Sequence, residues 1–379
     1  LQADPVRRRC IRKSILCKTI AGNNCDLLTI TAPAKSISEL KNRVAIIFTG
    51  RVHPGETCAS WIVHGLLDFI TGNSDAAKQL RSIFVFKIIP MLNPDGVING
   101  NYRCSLSGND LNRQWSTPSK EQHPTIWNTK ELIRRTKSRY IVGLVLDIHG
   151  HSRKHGVFTY GCLPDRKAMK PLLSLSAMAR QVLNNESIDP CSPEVADHIK
   201  ILDIISKLES DGGGESAFGD VDSVDLNVVR PSRLCSMRDV VSWRVKLLPR
   251  IIGATAPLFS LENCSWKMQR AKASTMRMVV FTELGIDCCY TIEASLAGKG
   301  ALHFSVGDLM DIGKNVCQSL LTATPSMLPS YSQHFNTTPI NPFTVNEISN
   351  VPIQSSPTSQ VDKREHVVNR FLEQFNEEM

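Results

Sequence analysis

Residues 44–56 read VAIIFTGRVHPGE, and this stretch decides the fold of the chain. Its apolar, β-branched first half, residues 44–49, predicts a buried strand. Residues 57–71 follow with apolar side chains at helical spacing, and the Gly-Asn pair at 72–73 is typical of the C-terminal end of a helix. A second apolar run at 83–89 predicts the next strand. Strand, helix and strand in this order predict an α/β fold with a mixed, mostly parallel twisted sheet flanked by helices.

Further apolar runs extend this pattern along the chain. Residues 141–148, 278–282 and 288–292 are each predicted to form a strand, and residues 172–183 are predicted to form a helix. These segments predict one large domain over 41–327.

Two regions differ from this domain in composition. Residues 186–237 contain the run DGGG and many polar residues, which predicts an insertion in the domain. Residues 328–379 begin with a stretch rich in Ser, Thr and Pro, which predicts a disordered tail. Residues 361–379, at the end of that tail, have the apolar spacing of a short amphipathic helix.

The composition limits the classes of protein to which the chain can belong. Its 379 residues are 42% hydrophobic, which is enough for a substantial core and excludes global disorder. The 44 Lys and Arg residues exceed the 36 Asp and Glu residues, and this positive charge favours encounter with acidic partners. No apolar run is long enough to span a membrane, and no nucleic-acid-binding module is recognisable. The first residues lack the apolar core of a signal peptide, so the 12 cysteines are expected to be reduced thiols in the cytoplasm.

The turn after the first strand carries the strongest chemical signal. His53 and Glu56 lie where an apolar strand ends and a helix begins, which is where open α/β sheets place ligand sites. His149, in LVLDIHGH at 144–151, follows another apolar strand and is the candidate for a third ligand. Two histidines, one glutamate and a water in the fourth position form the ligand set of a catalytic zinc site. A His-x-x-Glu pair alone is weak, because a surface histidine beside a helix-start glutamate gives the same pattern.

Several other motifs accompany this pair in a fixed order. They are PMLNPDGV at 90–97, GNYRCSLSGNDLNRQW at 100–115, DIHGHSRKHGVFTYG at 147–161, and a late block at 263–298 that contains ASTMR and YTIEAS. With these motifs the sequence resembles the zinc carboxypeptidase superfamily over roughly residues 11–323. The resemblance is to the cytosolic carboxypeptidase branch in particular. Members of that branch remove glutamates from protein C-termini and from side-chain polyglutamate.

The resemblance implies a catalytic zinc centre. One Zn²⁺ per chain would be held by His53, Glu56 and His149. Glu293, in YTIEAS, is implied to be the general base and then the general acid. The residues alone also leave Glu283 as a competing candidate for the base.

The resemblance also implies a substrate-binding group. Arg103 would stabilise the oxyanion of the tetrahedral intermediate. Asn112 and Arg113, in DLNRQW, would bind the terminal carboxylate of the substrate, which would make the enzyme an exopeptidase. Asp110 would accept a hydrogen bond from the second ring N–H of a ligand histidine. Arg277, in ASTMR, would line the side-chain pocket and favour acidic residues, with Lys272 adding to the positive field.

Two other histidines are weaker candidates for the site. His151 lies close behind the third ligand and is a weaker candidate for contact with substrate. His64 lies within the apolar helix and is expected to be packed. Neither is assigned to the metal, because the ligand set is already complete.

Three functions compete. The first is the hydrolysis of C-terminal or side-chain-linked glutamate from acidic protein tails, such as those of tubulin, by a cytoplasmic enzyme associated with the cytoskeleton. The second is an amidase of the aspartoacylase type, which uses a similar zinc site on small N-acyl amino acids. The third is a catalytically inactive binder of acidic tails. The DLNRQW and ASTMR motifs favour the first function.

The beginning of the chain departs from the family pattern. Cytosolic carboxypeptidases usually carry a β-rich domain before the catalytic one, whereas only about 40 residues precede the first predicted catalytic strand here. That length is too short for an ordinary domain. Residues 1–40 are therefore interpreted as a remnant of, or a lead-in to, an upstream β-rich domain.

Overall fold

The structure, a computed structural model, describes residues 4–163 and 237–327. Nearly all of these residues belong to one compact unit, formed by the chain up to Leu163 and again from Val245. The predicted helix 172–183 and the predicted tail 328–379, with its terminal helix, lie outside the described residues. The same holds for the predicted insertion 186–237, except for its last residue.

An eight-stranded mixed sheet forms the centre of this unit. Its strands along the chain are β1 (Ile11–Lys18), β2 (Asn24–Ile30), β3 (Val44–Gly50), β4 (Phe84–Ile89), β5 (Val142–His151), β6 (Val157–Leu163), β7 (Ser265–Lys267) and β8 (Cys289–Ser295). In space their order is β1-β2-β4-β3-β5-β8-β6-β7. The central strands β4, β3, β5 and β8 are mutually parallel, and antiparallel pairs join β1 to β2, β2 to β4 and β8 to β6. The predicted fold class is confirmed.

Helices cover this sheet. They are α1 (Pro5–Arg8), α2 (Ile37–Lys41), α3 (Thr57–Thr71), α4 (Asp75–Ile83), α5 (Pro94–Asn99), α6 (Pro124–Lys137), α7 (Met237–Thr255), α8 (Met276–Thr282) and α9 (Val306–Met327). A small hairpin of β9 (Gly298–Lys299) and β10 (Leu302–His303) follows β8. Within the described ranges, no helix combines the length and the apolarity that crossing a membrane requires.

The core lies on both faces of the central strands. Every residue of β3 is buried, as expected for a parallel strand that is covered on both sides. On one face, α3 packs closely against α9. A Cβ atom on Gly65 would lie 2.0 Å from the backbone oxygen of Met310, and one on Gly313 would lie 2.1 Å from that of Ile62. Glycine at these two positions therefore lets the two helix backbones approach each other.

Most of the predicted elements are confirmed, but one is wrong. The runs at 44–49, 83–89, 141–148 and 288–292 form β3, β4, β5 and β8, and residues 57–71 form α3. Residues 278–282, predicted as a strand, lie in helix α8 instead. That run is short and rich in Val, so its composition favours a strand although its periodicity is undecided. The helix is selected by packing, because Met276, Val279 and Val280 follow helical spacing and are buried together in the core.

Residues that were interpreted as a lead-in join the main sheet. Strands β1 and β2 extend it at one edge through the antiparallel pair of β2 with β4. The turn between them is held by the carboxylate of Asp95, which accepts hydrogen bonds from Thr19 Oγ1 at 2.5 Å, Ala21 N at 2.9 Å and Asn23 Nδ2 at 2.9 Å. These strands are thus part of the sheet that positions the site. The assignment of 1–40 to an upstream domain stays a prediction.

Candidate metal centre and substrate site

The three predicted metal ligands meet at the carboxyl ends of two strands. His53 and Glu56 lie in the turn between β3 and α3, and His149 lies near the end of β5. Because β3 and β5 are parallel neighbours, their carboxyl ends lie at the same edge of the sheet. All three residues are buried, and one ligand atom from each lies within 4.8 Å of the others. The structure thus brings the predicted ligand set together.

The turn that carries His53 has an unusual backbone. Arg51 has a φ of 55°, the left-handed region that residues other than glycine rarely adopt. Its side chain holds the turn, since Nε donates to Pro54 O at 2.6 Å and Nη1 donates to Ser60 Oγ at 2.7 Å. Gly55 follows, and a Cβ atom there would lie 2.8 Å from Tyr102 O. The motif GRVHPGE therefore supplies the shape of the turn as well as its ligands.

Both ring nitrogens of each ligand histidine face a carboxylate. The Nδ1 atoms of His53 and His149 lie 2.6 Å and 3.0 Å from the two oxygens of Glu56. His53 Nε2 lies 3.0 Å from Asp110 Oδ1, as predicted for Asp110. His149 Nε2 lies 2.7 Å from Asp147 Oδ2. Since an ionised carboxylate only accepts hydrogen bonds, each of these nitrogens must carry a proton, or a cation must lie between it and its partner.

The pKa shifts at the centre have the same origin. Burial disfavours the charged form of His149, but the charges of Asp147 and Glu56 outweigh it and hold its pKa well above the ordinary value. Burial likewise opposes ionisation of Glu56, yet His149 and His53 hold its pKa well below the usual range. The cluster therefore favours an ionised Glu56 and positive charge on His149 beside it.

This donor set fits zinc. A Zn²⁺ between the two Nδ1 atoms and Glu56 would take the place of the protons that those atoms otherwise need. Two imidazole nitrogens and one carboxylate leave a fourth tetrahedral position open, as in catalytic zinc sites. Both Nε2–H groups would keep their carboxylate acceptors, which orient the rings.

Asp147 contacts the third predicted ligand, although it was not among the predicted site residues. It is 1% exposed, and its second oxygen accepts a hydrogen bond from Thr49 Oγ1 at 2.6 Å. Its side chain reaches His149 because residues two apart in a strand share a face of the sheet. An Asp-x-His spacing inside an otherwise apolar strand is the signal that could have identified it.

Glu293 lies beside the third ligand. In the parallel pair of β5 with β8, His149 and Glu293 are register partners. Burial raises the pKa of Glu293 to about 7, because the nearby charge of His149 lowers it only in part and Glu56 raises it further. A carboxyl with a pKa near neutrality can both accept and release a proton at working pH.

Arg103 is anchored to the metal cluster through Asp110. Its Nε and Nη2 atoms lie 2.9 Å and 2.8 Å from Asp110 Oδ2, and its side chain is 42% exposed. Asp110 therefore links His53 to Arg103. Burial would raise the pKa of Asp110, but its hydrogen bond from His53 and the charges of His53, Arg103 and Arg113 hold it well below the usual range.

Asn112 is buried against the third ligand. Its Oδ1 accepts a hydrogen bond from the backbone N–H of Met276 at 3.0 Å, and its Nδ2 lies 3.3 Å from His149 Nε2. We assign the proton on that ring nitrogen to the shorter contact with Asp147. The amide hydrogens of Asn112 then have no acceptor on the imidazole and are available to a ligand.

Positive charge gathers next to Asn112. Arg113 is partly buried, and its Nη1 donates to the backbone oxygen of Asn112 at 2.9 Å. The pKa of Lys272 is lowered by burial and by the charges of Arg113 and Arg103. Arg113 and Arg103 thus lie near enough to Lys272 to act on its charge. Such a cluster is suited to an anionic ligand.

Arg277 lies in the first turn of α8. It is buried, and its Nη1 donates to the backbone oxygen of Gly161 and to Cys162 Sγ. Its guanidinium carbon lies 5.9 Å from the ring centroid of Tyr160. Arg277 thus packs against β6, the strand next to the one that carries Glu293.

The structure also shows the surroundings of Glu283, His64 and His151. Glu283 forms an ion pair with Lys130 at 2.7 Å. His64 was predicted to be packed, and this is wrong, since it lies on the exposed side of α3. His151 Nδ1 accepts backbone hydrogen bonds from Arg153 and Lys154, and its contact with substrate stays a prediction.

Comparison with known proteins agrees with this geometry. A family model described as zinc carboxypeptidase matches residues 8–143. Cytosolic carboxypeptidase 1 of Xenopus laevis is 36% identical over 321 residues, which are 82% of this chain and 21% of that protein. Cytosolic carboxypeptidase 2 of Mus musculus is 34% identical over 337 residues, which are 87% of this chain and 30% of that protein. The chain thus spans less than a third of the length of these relatives.

The fold is also found among solved structures. A metallo-carboxypeptidase from Burkholderia cenocepacia superimposes with a TM-score of 0.57 at 17% identity, over 86% of this chain and 66% of that one. A metallo-carboxypeptidase from Pseudomonas aeruginosa has a TM-score of 0.53 at 19% identity, over 83% of this chain and 65% of that one. At such identities the likeness concerns the fold. The sequence matches show that the chain contains a zinc carboxypeptidase domain, with cytosolic carboxypeptidases as its relatives.

Proposed function

We propose that this chain is a zinc-dependent metallo-carboxypeptidase that hydrolyses C-terminal or side-chain-linked glutamate residues of acidic protein tails, such as those of tubulin. The observation that carries the proposal is the pairing of His149 with Glu293 at the carboxyl ends of β5 and β8. This register sets a carboxyl with a pKa of about 7 beside the ligand set of a catalytic zinc site.

The mechanism assigns the proton transfers to Glu293. The chemistry that zinc supplies when bound is Lewis acidity, which activates water and polarises the scissile carbonyl. Glu293, in its ionised form, accepts the proton of the attacking water. The same carboxyl then delivers that proton to the leaving amine nitrogen, so the group returns to its starting state.

The basic side chains of the site bind the negatively charged groups of the substrate. Arg103, fixed by Asp110, directs a guanidinium at the oxyanion that develops on the scissile carbonyl. Asn112 and Arg113 bind the terminal carboxylate, which restricts cleavage to the last residue. Arg277, whose guanidinium carbon lies 5.9 Å from the ring centroid of Tyr160, binds the acidic side chain of that residue.

A preference of the enzyme for acidic residues also indicates its protein partners and where in the cell it acts. The cation cluster beside Asn112 supports acidic protein C-termini and polyglutamate side chains as partners. The relatives carry the word cytosolic in their names, which supports action in the cytoplasm. With tubulin as its substrate, the enzyme would also associate with the cytoskeleton.

The test compares glutamate peptides that differ in linkage. Zinc-loaded protein is incubated with α-linked and with γ-branched glutamate peptides, and the products are identified by mass. Release of single glutamates from either peptide is expected. Release of acetate from N-acetyl-aspartate instead would support an amidase, and binding of the peptides without any product would support an inactive binder.

Glu293→Gln supplies the decisive variant. Loss of the proposed proton-transfer group is expected to reduce turnover by about 10²–10⁴-fold. The variant should keep its zinc, because Glu293 is not in the ligand set. Glu283→Gln is the matched control and should keep full activity. Unchanged turnover in Glu293→Gln, or loss of its metal, would contradict the assignment.

A further inference from the structure

An aromatic surface lies next to the catalytic base. In the antiparallel pair of β6 with β8, Phe158 lies directly opposite Glu293, so the two side chains share a face of the sheet. Tyr160 follows two residues later on the same face. Its ring meets that of Phe158 edge-on, with the centroids 5.4 Å apart. We call these two rings the aromatic wall.

Two cations lie against the aromatic wall. Lys154 Nζ lies 4.9 Å from the ring centroid of Phe158 and 5.5 Å from that of Tyr160. The guanidinium carbon of Arg277 lies 5.9 Å from the same Tyr160 centroid. These distances are within the range of cation–π contacts, so Tyr160 is a shared platform for both charges.

Among the described residues, neither cation has a carboxylate within ion-pair distance. In the described part of the chain, the other contacts of Lys154 Nζ and of the Arg277 guanidinium are to uncharged groups. Lys154 Nζ donates to Asn263 O at 3.2 Å, and Arg277 donates to Gly161 O and Cys162 Sγ. Lys154 is partly buried and Arg277 is buried. Enclosed cations normally have a counter-ion, so this pair is arranged to receive an anion from outside the described chain.

The charges of Lys154 and Arg277 lie close enough to Glu293 to act on a substrate that binds beside it. The pKa of the Tyr160 hydroxyl is raised by burial and by the charge of Glu293, whereas Arg277 lowers it. The platform therefore lies within electrostatic reach of both the base and the buried guanidinium. A substrate side chain that extends from the scissile bond along the aromatic wall would meet both cations.

We propose that Lys154 is a second specificity-determining cation, which binds the side-chain carboxylate of the released residue together with Arg277. This inference rests on the proposed function and concerns Lys154, which lies outside the DLNRQW and ASTMR motifs. Arg277 presents a planar fork of donors, whereas Lys154 adds a point charge. The pocket then selects glutamate over its neutral isostere glutamine, because glutamine would leave both enclosed cations without a counter-charge.

The experiment measures kcat/KM for two peptides that differ only in a C-terminal Glu or Gln. Lys154→Met keeps the apolar stem over the rings but removes the charge. It is expected to reduce the Glu/Gln ratio of kcat/KM about tenfold, through a higher KM for the Glu peptide alone. Lys154→Arg restores the charge and should keep the wild-type ratio. Arg277→Ala should reduce the ratio as well.

Arg153→Gln is the matched control, since Arg153 is a neighbouring cation with an exposed side chain. It removes the same charge from the chain and should leave the ratio unchanged. Equal loss for both peptides in Lys154→Met, or no loss for either, would overturn the role of Lys154. A fall of the ratio in Arg153→Gln equal to that in Lys154→Met would also overturn it, because long-range charge would then suffice.

Failure of the proposed function is recognised separately. If wild-type protein released no C-terminal residue from either peptide, the carboxypeptidase assignment would be contradicted. The Lys154 inference is then decided by binding of the same two peptides to Glu293→Gln protein, measured calorimetrically with and without Lys154→Met. Weaker binding of the Glu peptide alone supports the inference, and equal binding with and without the lysine overturns it.

Discussion

The two halves of the site differ in how their charges are neutralised. The metal half is formed by Thr49, His53, Glu56, Asp147 and His149. Every ring nitrogen there faces a carboxylate, which for His53 Nε2 is Asp110 of the other half, and both oxygens of Asp147 are used. In the substrate half cations outnumber carboxylates; its members are Arg103, Asp110, Arg113, Lys154, Lys272 and Arg277. The metal half is therefore complete once a cation replaces the Nδ1 protons. The substrate half is complementary to a ligand that brings negative charge.

The two glutamates near the histidines show the physical basis of this difference. Glu56 is buried but faces both histidines within hydrogen-bonding distance, which holds its pKa well below the usual range. Glu293 lies beside the same histidines without such partners, so burial dominates and raises its pKa. One carboxylate is thereby kept ionised for a metal, and the other is kept ready for proton transfer.

Asp147→Asn should break the metal half while leaving the substrate half intact. The substitution removes the charged acceptor of the His149 ring proton, so the ring loses basicity and orientation. Outer partners of this kind typically contribute 10- to 100-fold to metal affinity. We expect a weakening of roughly that size in the zinc Kd, measured by competition with a chromophoric chelator.

Asp110→Asn is the control, because Asp110 touches both halves. It binds His53 on one side and Arg103 on the other, and its side chain is more exposed than that of Asp147. A smaller loss of zinc affinity is expected, together with a higher KM that Asp147→Asn does not show. Equal zinc affinity in Asp147→Asn and wild type would contradict the division of the site into two halves.

The pH dependence of kcat/KM sharpens the contrast between the glutamates. Glu293 accepts a proton only when ionised, and its raised pKa means that this form declines as the pH falls below about 7. Bound zinc adds positive charge and lowers this pKa. The acid limb should therefore lie between the ordinary value of 4.5 and about 7. Below the midpoint, activity should fall about tenfold per pH unit.

The measurement is a profile of kcat/KM from acid to neutral pH on the zinc-loaded protein. Glu283→Gln should leave the midpoint unchanged, since Glu283 pairs with Lys130 and is not part of the metal cluster. A profile that is flat down to pH values below 4.5 would mean that Glu293 is not the group that titrates.

The central strands and the ligands were predictable because their signals are local. A strand buried on both faces is a continuous apolar run, and its carboxyl end marks the ligand site. The edge strands β1 and β2 were missed because they mix exposed and buried residues, as IRKSILCK and NCDLLTI show. Helix α8 was mistaken for a strand because only its packing on the core distinguishes the two.

Contacts between distant segments were harder to predict. His64 could have been identified as exposed, since residues 57, 61, 64 and 68 form the outer side of α3 at helical spacing. The aromatic wall could not have been identified from the sequence, because it depends on the register of β6 against β8 and on the position of α8. The same is true of the contact between Asp147 and Thr49, which joins two strands that are far apart in sequence.

Arg113→Lys should change the substrate half alone, with the smallest effect. Lysine keeps the charge but loses the planar fork that matches a carboxylate, at a cost of about one hydrogen bond. We expect KM to rise by roughly two- to tenfold for all peptides, with zinc affinity unchanged. Arg270→Lys, an exposed cation nearby, is the control and should have no effect.

Arg113 tests the division better than Asn112 does, because Asn112 lies against His149 and belongs to the boundary between the halves. Loss of zinc affinity in Arg113→Lys would show that the two halves are coupled.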